Sequence, residues 1–419
     1  MSTVRIGVLT SGGDAQGMNA AVRAVVRTAL AKGAQPYAIL EGWQGACDGG
    51  DSIKKMGWSD VSSILAEGGT VIGTARSAEF RTYEGRHRSA ANLLEHGIDH
   101  LVVIGGDGSL SGTNEFRKEW PQHVAELVAE GVITQEFADA HPALIIVGLV
   151  GSIDNDMVGT DMTIGADTAL HRILDAIDQL TSTAASHQRT FVVEVMGRHC
   201  GYLPLMAAVA GGADYVFTPE DPVGQGWQDD LAEHLRLGRE AGRRESIVLV
   251  AEGAHDRDGN ELSTQLVADT IEERTGEDAR VTILGHVQRG GTPSAYDRWM
   301  STLLGYAAVQ EILASTGEDE PVILGVRRNR ITRVPLMKAV HDTRAVKDLI
   351  AAGDYAAAQA SRGSSFSSMV GIYHLLSTPP QLIPEPTGDI KRVAILHAGG
   401  LAPGMNTAAR VAVRLGIAR

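Results

Sequence analysis

The chain has 419 residues, 49 of them glycine, and a formal charge of −14. Its length implies two or more cores, and its acidic balance excludes non-specific nucleic-acid binding while leaving room for a small anion in a locally basic pocket. Its apolar runs fall short of the ~20 residues that span a bilayer, residues 1–9 enter a strand-like run too early for a signal peptide, and Cys47 and Cys200 are too few for a disulfide framework or a thiolate metal site, so a cytoplasmic protein without a membrane span is expected.

Residues 4–10 predict a strand broken by Gly12-Gly13, and residues 18–31 then carry apolar side chains at helical spacing. Strand, glycine turn and helix make an anion-binding arrangement, through bare backbone N–H groups and the helix dipole. It is neither a Walker A loop nor a Gly-x-Gly-x-x-Gly fingerprint. Residues 36–40, 61–66 and 101–104 read as further strands, and 110–120 as a helix. This alternation predicts a parallel-rich sheet covered by helices on both faces.

Residues 121–141 are polar and helix-prone, an insertion ahead of a strand at 144–150. The longest helical pattern follows at 163–186, with Ile164, Leu170, Ile173, Leu174, Ile177 and Leu180 on one face. A second set of units comprises strands 190–195, 246–250 and 281–284, separated by helices 202–210, 228–241 and 263–275. The fold class is therefore α/β, in two Rossmann-like lobes. The Pro-rich stretch 379–386 reads as an extended linker. Beyond it the start of the chain recurs: residues 5–19 align without gaps to 392–406, and Arg23 and Arg27 fall on Arg410 and Arg414. Such a distant repeat implies a duplicated module, stopping here after one strand and one helix of the second copy.

Two acidic clusters follow strand candidates: Gly105-Gly106-Asp107-Gly108-Ser109 and Gly151-Ser152-Ile153-Asp154-Asn155-Asp156. Strand ends in open α/β sheets are where ligands bind. The first cluster suits a metal–polyphosphate, with Asp107 toward Mg²⁺, although taken alone it reads first as a tight turn with a helix N-cap. In the second, Asp154 and Asp156 stand two apart, which in an extended segment turns both to one side for proton abstraction. An Asx-turn at Asn155 is an equal alternative. Arg76, Arg189, Arg198, Arg280 and Arg289 mostly flank strand ends, and guanidinium groups bind phosphate bidentately. His286 and Glu252 are candidates for hydrogen bonds to a sugar substrate. No His or Cys spacing signals zinc.

In this order these segments resemble the phosphofructokinase family, together with Thr10-Ser11-Gly12-Gly13-Asp14, Gly17-Met18-Asn19, Ser186-His187-Gln188-Arg189, Val195-Met196-Gly197-Arg198 and Leu284-Gly285-His286-Val287-Gln288-Arg289-Gly290-Gly291. The resemblance is to the eukaryotic type, in which two homologous halves are fused and the first is catalytic. It implies the phosphofructokinase fold and ATP-dependent, Mg²⁺-assisted phosphorylation of fructose 6-phosphate at its 1-hydroxyl, in glycolysis. It implies Asp154 as general base with Asp156 and Arg198 in the catalytic set, and Asp107 at the metal. Gly13, Arg76, Ser77, Gly106, Asp107, Gly108 and Ser109 would bind nucleotide. Substrate would fall to Ser152, Ile153, Asp154, Arg189, Met196, Gly197, Arg198, Glu252, Arg280, His286, Val287, Gln288 and Arg289. Counterparts of Arg189 and Arg280 reach across from a neighbouring subunit, implying a homo-oligomer, a tetramer or a dimer of fused halves.

The implied domains are a catalytic module over 1–378, a linker over 379–390 and a truncated second module over 391–419. Within the first, a nucleotide lobe covers about 1–165 and 288–338, and a sugar-phosphate lobe about 166–287 and 339–378. Pyrophosphate-using relatives carry an Asp and a Lys where this chain has Gly108 and Gly151, which favours ATP over a pyrophosphate-dependent alternative. Trp43 stands where short relatives often have a Tyr near the adenine. Thr181 replaces an Arg of the bacterial effector site, and Leu401 replaces Asp14 in the repeat. A non-catalytic, sugar-phosphate-binding half is the reading from another class, and intact Asp107, Asp154 and Asp156 speak against it.

Overall fold

The computed structural model describes residues 3–383 and 392–418. Its strands are β1 (Arg5–Ser11), β2 (Gln35–Ile39), β3 (Ile53–Lys55), β4 (His100–Gly105), β5 (Ile145–Val150), β6 (Thr190–Val195), β7 (Tyr215–Phe217), β8 (Ser246–Ala251), β9 (Ala279–Ile283), β10 (Val322–Arg327) and β11 (Arg330–Pro335). The chain forms two compact units. The first holds the residues up to Arg172 with His286–Asp348, and the second Ile173–Gly285 with the residues from Leu349 onward.

In the first unit a seven-stranded sheet runs β11-β10-β5-β4-β1-β2-β3. Its centre is parallel, and β3 and β11 close the two edges antiparallel. Leu101, Val102, Val103 and Ile104 of β4 are all fully buried, as an apolar strand covered on both faces requires. The chain leaves β1 for β2 on one side and returns to β4 on the other, so the order reverses between β1 and β4. That reversal is the usual place for a ligand in open α/β sheets. The register there aligns Ser11 with Gly105 and Gly105 with Val150.

Local signals fix the helices. Thr82 caps Tyr83–Glu95 by accepting from the Gly85 N–H, and Ser294 caps Ala295–Ala314 by accepting from the Asp297 N–H. The helix Ala295–Ala314 packs along Met18–Ala31 over one face of the sheet. The second unit has a four-stranded parallel sheet, β7-β8-β6-β9. Its core joins Val192, Phe217, Val248 and Val250 to Leu231 and Leu235 of the helix Trp227–Glu240. Among the described residues, no helix is long and apolar enough to cross a membrane.

Several expected elements differ. Residues 61–66 form no strand. They lie in two short 3₁₀ turns, Ser59–Val61 and Ile64–Ala66, whose buried Val61 and Ile64 satisfy the apolar pattern while β3 occupies the sheet edge beside β2. The helix expected at 110–120 runs from Asp107 to Ala129 with Pro121 inside it, so the presumed insertion begins as the same helix. Pro121 lacks the N–H that would bond the Arg117 carbonyl, yet Trp120 anchors this turn through Nε1 to the His141 carbonyl at 3.1 Å. In the repeat, the helix Met405–Ala418 forms and Arg414 ties it to the Leu376 carbonyl at 2.6 Å. The strand does not form: residues 392–398 pair with no sheet, and Val393 and Leu396 are largely exposed. A counterpart of β1 is a central strand and needs neighbours on both sides. The linker expected at 379–390 begins with the 3₁₀ turn Pro380–Leu382, and its residues 384–390 lie outside the described residues.

Candidate active site

Asp107 opens the helix Asp107–Ala129 directly after β4, so its carboxylate sits among bare N–H groups at the positive end of the helix dipole. A Cβ at Gly106 or Gly108 would meet nothing within 4 Å, leaving an open cradle on this turn. Ser109 Oγ donates to Ser11 Oγ at 2.9 Å, joining the ends of β1 and β4 across the topological reversal. Gly12 has φ +96, a left-handed conformation suited to glycine. The Arg289 guanidinium stands beside Gly13, 3.5 Å from where its Cβ would be. Sequence reasoning passed over Arg344, whose Nε lies 3.3 Å from Asp107 Oδ2.

The segment carrying Arg76 and Ser77 is stitched to the end of β1. Thr10 Oγ1 donates to the Gly73 carbonyl at 2.8 Å, and Thr74 Oγ1 to the Gly12 carbonyl at 2.9 Å. Arg76 is exposed, whereas Ser77 Oγ accepts from the Phe80 N–H at 3.0 Å and so starts the next turn. Trp43 is a core residue, stacked on Phe80 at 4.0 Å and edge-on to Phe116.

The second acidic cluster is a turn and not an extended segment, because Asn155 adopts φ +50. Alternation therefore does not relate Asp154 to Asp156. Ser152 relates them instead: its Oγ donates to Asp156 Oδ1 and accepts from the Asp154 N–H, each at 3.3 Å. Asn155 braces the turn by donating to the Asp161 carbonyl at 3.1 Å and accepting from the Thr163 N–H at 2.8 Å. Asp154 and Ile153 are buried, and Asp156 is half-buried. The N–H groups of Gly165 and Thr168 bind the buried Asp297 at 2.9 and 2.8 Å, a scaffold that sequence reasoning missed. Burial holds the Asp297 carboxyl up at about 6.

His286, Val287, Gln288 and Arg289 form one 3₁₀ turn, Gly285–Arg289. Gln16 fixes it by donating to the carbonyls of Gln288 and Gly290 at 3.0 and 2.9 Å. Gln288 is buried, while His286 and Val287 are exposed.

In the second unit, Met196, Gly197 and Arg198 follow β6, and Arg198 sits at φ +50. Its N–H donates to Glu252 Oε2 at 3.2 Å. Gly253 lies so close that a Cβ there would fall 2.0 Å from the Arg198 carbonyl. Arg189 and Arg280 converge on one carboxylate that the sequence did not flag, Asp278, at 2.7 and 2.9 Å.

A family model described as Phosphofructokinase matches residues 5–312. The chain belongs to the phosphofructokinase family. It is 51% identical over 412 residues to a Homo sapiens protein named ATP-dependent 6-phosphofructokinase, liver type, covering 98% of this chain and 52% of the relative. It is also 51% identical to ATP-dependent 6-phosphofructokinase 1 of Aspergillus oryzae, covering 98% of this chain and 52% of that one. The solved structure of phosphofructokinase from Saccharomyces cerevisiae superposes with a TM-score of 0.97 at 49% identity, over 99% of this chain and 56% of the other. The similarity is thus to the eukaryotic type, and the phosphofructokinase fold expected from the motifs is the fold found. The chain spans about half the length of the curated relatives it matches.

Proposed function

We propose that this chain phosphorylates fructose 6-phosphate at its 1-hydroxyl with ATP, giving fructose 1,6-bisphosphate and ADP. One observation carries this reading: Ser11, Gly105 and Val150 lie in register across β1, β4 and β5, so a phosphate cradle and a carboxylate pair issue from neighbouring strand ends. Phosphoryl transfer needs such positioning and charge neutralisation more than covalent chemistry.

In this reading Asp154 accepts the proton of the 1-hydroxyl as its oxygen attacks the γ-phosphorus, and the β–γ bridging oxygen leaves with ADP. Ser152 and Asp156 hold Asp154 in place. Backbone N–H groups around Gly12, Gly13, Gly106 and Gly108 take the phosphates, with Ser109 next to Gly108 in sequence, Arg76 and Ser77 on the segment that Thr74 ties to Gly12, and Arg289 beside Gly13. The lone carboxylate at a helix N-terminus and the open glycine cradle fit Mg²⁺ at Asp107, which would neutralise phosphate charge when bound. Arg198, Met196, Gly197 and Glu252 are assigned to the sugar phosphate, as are His286, Val287 and Gln288. Arg189 and Arg280, held by Asp278, would serve a neighbouring subunit's substrate, in a homo-oligomer in the cytoplasm.

The pyrophosphate reading is disfavoured by space. Gly108 opens on emptiness where a nucleotide needs room, and Gly151 carries no side chain where the pyrophosphate-using relatives have a lysine. A coupled assay of ADP release with fructose 6-phosphate and Mg²⁺ tests the proposal, with ATP and pyrophosphate compared as donors. Turnover with ATP alone supports it; turnover with pyrophosphate alone, read as phosphate and product, overturns the donor assignment. Tight binding of both substrates without turnover would point to a regulatory half.

A further inference from the structure

Away from these residues, the helices Tyr83–Glu95 and Asp107–Ala129 bring two histidines and a glutamate together. His87 Nδ1 lies 3.3 Å from His123 Nδ1 and 3.4 Å from Glu126 Oε2, and all three atoms lie within 4.8 Å of one another. His123 is fully buried, and His87 and Glu126 are half-buried. Ligands held about 2.1 Å from a tetrahedral ion stand about 3.4 Å apart, which is the separation of His87 Nδ1 from each of the other two atoms.

The surroundings carry the argument further. Each ring turns its other nitrogen to a second carboxylate: His87 Nε2 is 3.4 Å from Glu130 Oε2, and His123 Nε2 is 3.4 Å from Glu119 Oε2. A carboxylate behind the distal nitrogen is the arrangement that fixes the tautomer of a metal-bound imidazole. His87 Nδ1 and His123 Nδ1 stand within hydrogen-bonding distance of each other, and a cation between them would take a lone pair from each ring in place of that contact. Glu119 is itself held by Arg86 at 2.6 and 2.8 Å. Glu126 accepts from Tyr83 Oη at 2.8 Å and from Gln122 Nε2 at 2.9 Å, so both of its oxygens are oriented.

We propose that His87 Nδ1, His123 Nδ1 and Glu126 Oε2 form a binding site for a transition-metal dication of the Zn²⁺ class, distinct from the Mg²⁺ position at Asp107, with water completing the shell. Two imidazoles and one carboxylate favour such an ion over Mg²⁺. His87 stands on a different helix from the His123–Glu126 pair, 36 residues before His123 in sequence, which is why no linear spacing announced the three together.

The test is titration of the EDTA-stripped full chain with Co²⁺ and Zn²⁺ in excess Mg²⁺. Wild type should take up one Co²⁺ with an intense visible d–d band, displaced by Zn²⁺. His87→Ala should lose the band and weaken Zn²⁺ binding at least about 100-fold, and Glu130→Gln should weaken it about 10-fold. Equal melting temperatures of wild type and His87→Ala in EDTA would show that the variant folds. Absence of saturable binding to wild type, or unchanged binding by folded His87→Ala, would overturn the site.

Discussion

Arg362 Nε donates a 2.8 Å hydrogen bond to Glu220 Oε1 where both side chains are almost wholly removed from water. The other Glu220 oxygen accepts from the Gly201 N–H, and Arg362 Nη2 donates to the His199 carbonyl, both at 2.8 Å. One buried pair therefore fastens His199 and Gly201, the later part of the turn that begins with Gly197 and Arg198. Arg362→Met leaves the Glu220 charge uncompensated and should cost about 3–5 kcal/mol, read by urea unfolding. It should also raise KM for fructose 6-phosphate more than it lowers kcat, because the loosened turn carries Arg198.

Asp154→Asn removes the proposed base while keeping the side chain's size in a buried turn. Its kcat should fall by about 10²–10⁴. Calorimetric affinities for ATP and fructose 6-phosphate should match wild type. A comparable loss in both affinities would instead assign Asp154 to the framework of the turn.

Gly108→Asp adds a carboxylate where nothing lies within 4 Å, so folding should be unaffected. The charge lies on the cradle assigned to phosphate, and KM for ATP should rise about tenfold or more, about 1.4 kcal/mol of lost binding. Thermal melting of the variant alongside its kinetics separates the two effects.

His374 gives a pH dependence of known sign. Its imidazole is held above the ordinary value by the hydrogen bond from Nε2 to Asp221 Oδ2 at 2.6 Å. A raised folded-state pKa contributes stability below the unfolded value near 6.5 that is lost as pH rises through the folded value. Urea midpoints of wild type, relative to those of Asp221→Asn, should therefore fall from pH 6 to 8. The half-exposed pair limits the difference to less than about 1 kcal/mol.

The sequence carried the buried elements well, because a central parallel strand is apolar on both faces. Residues 190–195 and 18–31 were read to the residue, and the strand at 101–104 within a residue at each end. Edges were harder. β3 has three residues, two of them exposed lysines, and the hairpin β10–β11 turns on Arg328 and Asn329, both at positive φ without a glycine. In the site, the motifs located the loops but not their braces. Asp278, Glu220 and Asp297 act through contacts made after folding, and Asp297 reaches Gly165 across 132 residues. No local pattern encodes such a contact.

The helix Asp107–Ala129 carries Asp107 in its first turn and His123 sixteen residues later. At about 1.5 Å per residue the two stand about 24 Å apart along one rod. A tilt of about one degree at the histidine end swings the Asp107 end by about 0.4 Å. Catalytic groups must be held to within about 0.5 Å of productive geometry. Whatever grips the far end of this helix is thus a fine adjustment of the near one, and angular play there converts into positional error at the proposed phosphate cradle.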